Sequence, residues 1–118
     1  MHTMIYKPFD VVVVPFPFTD VSMQKKRPAL VLSSKENFNL QTKHCVLAMI
    51  TSAQNSPWAL DYYIKTIEET GLHTPSVVRM KIFTLDIKLI IKKIGKLSEQ
   101  DQKSLQKNIE LLLFTQPH

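Results

Sequence analysis

The chain has 118 residues and a formal net charge of +5, which suits one domain, 1–118, around one core. Its only glycines are Gly71 and Gly95 and its only cysteine is Cys45, which excludes a Gly-rich phosphate cradle, a disulfide framework and a Cys-based zinc cluster. No apolar run approaches the ~20 residues that span a bilayer, so a soluble intracellular protein with no membrane partner is expected. Phe9 to Phe18 predicts a first strand from its β-branched run, frayed or at a sheet edge near Pro15 and Pro17. Residues 19–26 are a polar loop. Pro28 to Ser33 is a second strand. Residues 34–43 are a polar turn around Asn37 and Asn39. Cys45 to Ile50 is a third strand, and Trp58 to Ile64 a fourth. Gly71 lies in a break, Ser76 to Met80 is a fifth strand, and 81–87 is ambiguous. Ile90 to Leu97 is a further strand.

Ser98 then stands three residues before Asp101, as in a capping box with Asp in the Glu position. Leu105, Ile109, Leu112 and Leu113 share one face of a C-terminal helix. The expected fold is mainly β with that helix packed on it, a small α+β barrel or strongly bent sheet. Strands one to three are apolar on both faces, which an antiparallel sheet shows when both faces are covered. One helix is too little cover, so a partner subunit is inferred.

The whole charge excess falls between Arg79 and Lys107, with eight bases against three acids. That segment is either a surface for an anionic partner or a solvated face rich in Lys. A second clue is geometric. If strands two and three form a hairpin, residue i faces roughly 78 − i. Arg27 then faces Thr51, and the same rim gathers Ser52, Asp20, Lys25 and Lys26. A guanidinium, two hydroxyls and two ammoniums make a phosphate grip, or else a solvated hairpin corner.

The string from Phe9 to Asp20, followed by Lys26-Arg27-Pro28-Ala29-Leu30-Val31-Leu32-Ser33, resembles the start of the MazF/PemK (Kid) toxins. The resemblance continues through Ala48 to Ser52, Gly71-Leu72, Pro75 to Arg79, Phe83 to Asp86 and Ile94 to Ser98. It implies an SH3-like barrel with a C-terminal helix, of the MazF/PemK/CcdB toxin type, working as a homodimer. It implies the toxin of a bacterial type II toxin–antitoxin pair: a cytoplasmic, metal-independent endoribonuclease that cuts single-stranded RNA, usually mRNA, and needs no cofactor. The partners implied are that RNA and a cognate antitoxin, with DNA reached only through the antitoxin complex. The family's catalytic Arg and Thr fall on Arg27 and Thr51. The implied nucleophile is the RNA's own 2′-OH, which leaves a 2′,3′-cyclic phosphate and a 5′-OH. Arg27 would hold the phosphate and Thr51 would donate to a non-bridging oxygen, with Ser52 as its alternate.

The chain departs from the pattern in places. Phe9 stands where many relatives have Gly, and Lys81 stands where some place a Gln near the cleft. The general base is unassigned. Lys81, Lys92 and Lys93 line an RNA or antitoxin groove, or else a solvated face. Trp58, Tyr62 and Tyr63 are candidates to stack on RNA bases, with at least two of the three expected in the core. His44 and His73 are lone and are not expected in catalysis. Two rival readings are a CcdB-like gyrase poison and a catalytically idle RNA- or antitoxin-binding module. Against the first, the chain ends Phe114-Thr115-Gln116-Pro117-His118 and lacks an aromatic-glycine tail.

Overall fold

Four valines in a row, Val11 to Val14, favour extended backbone because a side chain branched at Cβ is restricted in a helix. They form the centre of strand β1, Asp10–Phe16. A computed structural model describes residues 4–16 and 25–114. The other strands are β2 (Lys25–Val31), β3 (His44–Ser52), β4 (Tyr62–Tyr63), β5 (Ser76–Asp86) and β6 (Lys92–Lys96). They make one curled antiparallel sheet in the order β4-β5-β3-β2-β1-β6. No helix among the described residues is long and apolar enough to cross a membrane.

Side-chain alternation along these strands feeds two cores. Val12, Val14, Ala29, Val31, Leu47 and Met49 pack on one face, closed by Tyr6, Ile87 and Ile90. Val11, Leu30, Ala48, Ile50 and Val78 pack on the other, beneath Leu97 and Leu105. The two-sided apolar pattern of the first three strands is thus covered within one chain. Pro15 is tolerated because β6 pairs with β1 only from Asp10 to Val13, which leaves Pro15 opposite Lys26 of β2 alone.

Two expectations give way. Residues 34–43 are helical rather than a simple turn: a wide turn over Lys35–Asn39 runs into the short helix α1, Leu40–Thr42. Ser34 caps it by accepting from the Asn37 N–H at 3.1 Å. Asn39 is fully buried and donates to the Tyr6 and Ser33 carbonyls at 2.9 and 3.1 Å, which ties this segment to the chain start. The fourth strand is the second correction. Only Tyr62–Tyr63 pairs with β5, while Trp58 to Asp61 is a tight turn with Leu60 at φ 65. The Asp61 carboxylate accepts from the Trp58 N–H at 2.9 Å, so a local bond displaces the sheet pairing.

The C-terminal helix α2 spans Glu99–Leu113 and starts at the expected cap: Ser98 Oγ accepts from the Asp101 N–H at 3.1 Å. Asp101 does not turn back onto the Ser98 backbone. Its buried carboxylate accepts from the Lys65 and Thr66 N–H groups at 3.1 and 2.9 Å, from Ser98 Oγ at 3.0 Å, and from the Tyr62 hydroxyl. The helix is pinned to the segment after β4 by that one side chain. Leu105 is buried and Ile109 half-buried, but Leu112 and Leu113 are exposed, on a groove they share with Leu32, Met80 and Ile82.

Candidate active site at the end of the β2–β3 hairpin

The β2–β3 register pairs Ala29 with Met49, Leu30 with Ala48 and Val31 with Leu47, which is the expected 78 − i. The paired residues end at Ala29 and Met49, and the same register carried two residues further sets Arg27 opposite Thr51. Both side chains line one cleft of about 240 Å³, together with Lys81 from β5, and Phe16, Trp58 and Arg79 wall it. Arg27 is exposed and Thr51 half-buried. Among the described residues, no hydrogen bond or ion pair engages the Arg27 guanidinium.

Thr51 is oriented by its neighbour. Asn55 donates its side-chain N–H to Thr51 Oγ1 at 2.6 Å. A hydroxyl that accepts from an amide keeps its own hydrogen to donate. Lys81 reaches over the Phe16 ring, with Nζ at 5.1 Å from the ring centre. The cleft therefore presents a guanidinium, an ammonium and a hydroxyl hydrogen, the groups that grip and polarise a phosphate.

Arg79 is a cation of a different kind. Its Nε and Nη2 donate to the two oxygens of Asp61 at 3.2 and 3.0 Å, and Nη2 also donates to the Ser56 carbonyl at 2.8 Å. Burial alone would raise the Asp61 pKa. The Arg79 pair and the Trp58 N–H outweigh that and hold the carboxyl below its ordinary range. The Asp61 hydrogen bond in turn raises the pKa of the Arg79 guanidinium. The Arg79 fork is thus occupied, and its central carbon Cζ lies over the Trp58 ring, 4.9 Å from the ring centre.

The remaining expected residues sit around this cleft. Lys25 and Lys26 are exposed at the start of β2 and do not line it. Ser52 points away in the strand alternation, and its Oγ accepts from the Gln54 N–H at 3.2 Å. Asp20 lies outside the described residues. His44 pairs with Asp86 at the far end of β3, and its Nδ1 lies 2.8 Å from the Thr42 carbonyl. Of the three aromatic candidates only Tyr62 is in the core; Trp58 and Tyr63 are 48% and 51% exposed, which corrects the expectation of two. Asn55 and the Asp61–Arg79 pair were not foreseen. The available signal was Asp61 itself, a poor strand residue inside a predicted strand.

Comparisons with known proteins bear on the family and the fold. The family model described as a PemK-like, MazF-like toxin of type II toxin–antitoxin systems matches residues 7–113. No curated protein sequence matches the chain. The fold is similar to a MazE–MazF complex from Deinococcus radiodurans, with a TM-score of 0.76 and 18% identity over 96% of this chain and 100% of that one. A MazF toxin from Mycobacterium tuberculosis aligns with a TM-score of 0.72 and 19% identity, covering 92% and 99%. An endoribonuclease from a mycobacterial species aligns at 0.73 and 15%, covering 99% and 100%. With the family model matched over almost the whole length, the chain belongs to the PemK-like, MazF-like toxins of type II toxin–antitoxin systems.

Proposed function

We propose that the protein is the ribonuclease of its toxin–antitoxin pair, cutting single-stranded RNA in the cytoplasm without a metal ion. One observation carries this reading: Arg27 and Thr51, distant in sequence, line the same cleft beside Lys81. The 2′-OH of the RNA attacks the adjacent phosphorus and expels the 5′-oxygen of the next nucleotide. The 2′-OH proton leaves to a base and the departing oxygen gains a proton. Negative charge grows on the non-bridging oxygens, where Arg27 supplies paired donors, Thr51 its hydroxyl hydrogen and Lys81 a third positive contact. Lys25 and Lys26, exposed just before Arg27, extend the positive rim along the RNA backbone.

Within the same reading the protein is a homodimer held off by a cognate antitoxin, and any contact with DNA runs through that antitoxin. The test incubates purified protein with mixed-sequence RNA in excess EDTA. Fragments with cyclic-phosphate 3′ ends are expected, and Arg27→Ala, folded to the same extent, should lose about 10²-fold or more in rate. Cleavage that requires Mg²⁺, or that survives in the variant, would overturn the reading.

A further inference from the structure

We infer that Trp58 is a base-stacking platform, on which the unpaired nucleobase next to the phosphate held at Arg27 lies flat. The inference rests on the ribonuclease reading above and adds a binding element to it. Trp58 is the only tryptophan of the chain and is 48% exposed on the wall of the Arg27–Thr51 cleft. It is nevertheless held in place. Its backbone N–H donates to the Asp61 carboxylate at 2.9 Å, Asp61 is paired with Arg79, and the Arg79 guanidinium carbon lies over the ring, 4.9 Å from its centre.

The turn that carries Trp58 is strained as well, since Leu60 adopts φ 65, where a branched side chain is disfavoured. Strain of this sort persists where the surroundings over-determine it, as they do at sites that must be pre-organised. Arg79 spends its donors on Asp61 and Ser56, so its part is to back the indole rather than to clamp a phosphate. A rigid aromatic face next to the Arg27 guanidinium and the Lys81 ammonium matches the way single strands are gripped: backbone on the cations, bases on the rings. A duplex offers no free base face, so the platform selects unpaired RNA.

Because Trp58 has no other tryptophan to mask it, its fluorescence reports directly on the platform. The probe is a mixed-sequence single strand of about 12 nucleotides with 2′-O-methyl riboses, long enough to track such a groove and unable to attack its own phosphates. Anisotropy of an end label measures binding, and Trp58 emission measures stacking. Saturable binding is expected with emission quenched by about half or more, and a duplex of the same sequence should leave the emission unchanged. Trp58→Ala should weaken binding by about 10- to 100-fold, and Trp58→Phe should restore most of it. Binding by anisotropy with neither quenching nor an effect of Trp58→Ala would overturn the platform and leave the ribonuclease reading standing. No binding by either readout would overturn both. If Trp58→Ala fails to fold, the quenching and Trp58→Phe still decide.

Discussion

Asn55 donates to Thr51 at 2.6 Å, and the direction of that bond matters more than its length. It leaves the Thr51 hydrogen free for a phosphate oxygen. Asn55→Ala should lower the single-turnover cleavage rate about 10-fold, the worth of one orienting hydrogen bond. Asn55→Asp should lower it about 100-fold, because a carboxylate would take the Thr51 hydrogen and put negative charge beside the substrate. Equal rates for Asn55→Asp and the unaltered protein would show that Thr51 does not act as a donor. Cys45 is a residue of the opposite kind. Burial, then the charge of Asp10, pushes its thiol up to about 11, so almost no thiolate exists near neutral pH. The folded protein should resist a thiol reagent at pH 8 and react promptly in urea; stoichiometric labelling without denaturant would contradict this. Phe9 was legible in part. The family pattern wants Gly there, and the structure shows why, since Phe9 stands at φ 73. Its N–H donates to the Val31 carbonyl and its carbonyl accepts from the Leu97 N–H, so the sheet holds it in that conformation.

Between elements, the β2–β3 hairpin was readable because strand ends and loop length determine antiparallel register. The turn at Trp58 was not readable, because it depends on Asp61 meeting Arg79 from a strand further along the chain. The packing of the two glycines was equally hidden. A Cβ at Gly71 would run into the Ile94 carbonyl, and one at Gly95 into Glu69 and Thr70, so both glycines serve one close crossing of β6 over the turn Glu68–Thr70. Gly95→Ala should cost about 1–3 kcal/mol in urea unfolding; no change in midpoint would mean the crossing can relax.

The joint between α2 and the sheet contributes to the pH dependence at both ends, beside the raised Cys45 thiol and the lowered Asp61 carboxyl. Burial alone would raise the Asp101 pKa, but Tyr62, Thr66, Lys65 and Ser98 outweigh it and hold the carboxyl below its ordinary range. A lowered folded-state pKa stabilises fully above the unfolded value of about 4, and that stability drains as pH falls through the folded value. Tyr62 works at the other end. Burial, then its bond to Asp101, pushes its phenol up to about 12. Its share is complete below the unfolded value of about 10 and is lost as pH rises from there towards about 12. Urea midpoints across pH should therefore fall on both limbs. Tyr62→Phe should make the alkaline limb shallower, and Asp101→Asn should make the acid limb shallower at a cost of about 2–4 kcal/mol. Unchanged limbs in these variants would place the pH dependence elsewhere.

At the scale of the molecule, the basic segment divides into parts with different tasks. Lys81 serves the cleft, Arg79 is paired with Asp61, and Lys93 is paired with buried Asp10 at 3.1 Å. Lys92, Lys93 and Lys96 stand on β6, an edge strand of the sheet, where lysines discourage pairing with another chain edge to edge. A second copy is therefore expected on an apolar surface rather than on that edge. The exposed end of α2 offers one: Leu111, Leu113 and Phe114 are 61%, 59% and 68% exposed, beside a groove lined by Leu32, Met80, Ile82, Ile109 and Leu112. Sedimentation equilibrium at micromolar concentration should give about twice the chain mass of 13.6 kDa. Leu113→Asp places a charge on that apolar end and should shift the protein to the monomer, with far-UV circular dichroism unchanged. A monomeric unaltered protein would remove the dimer from the reading. A dimer that survives Leu113→Asp would put the interface on another face.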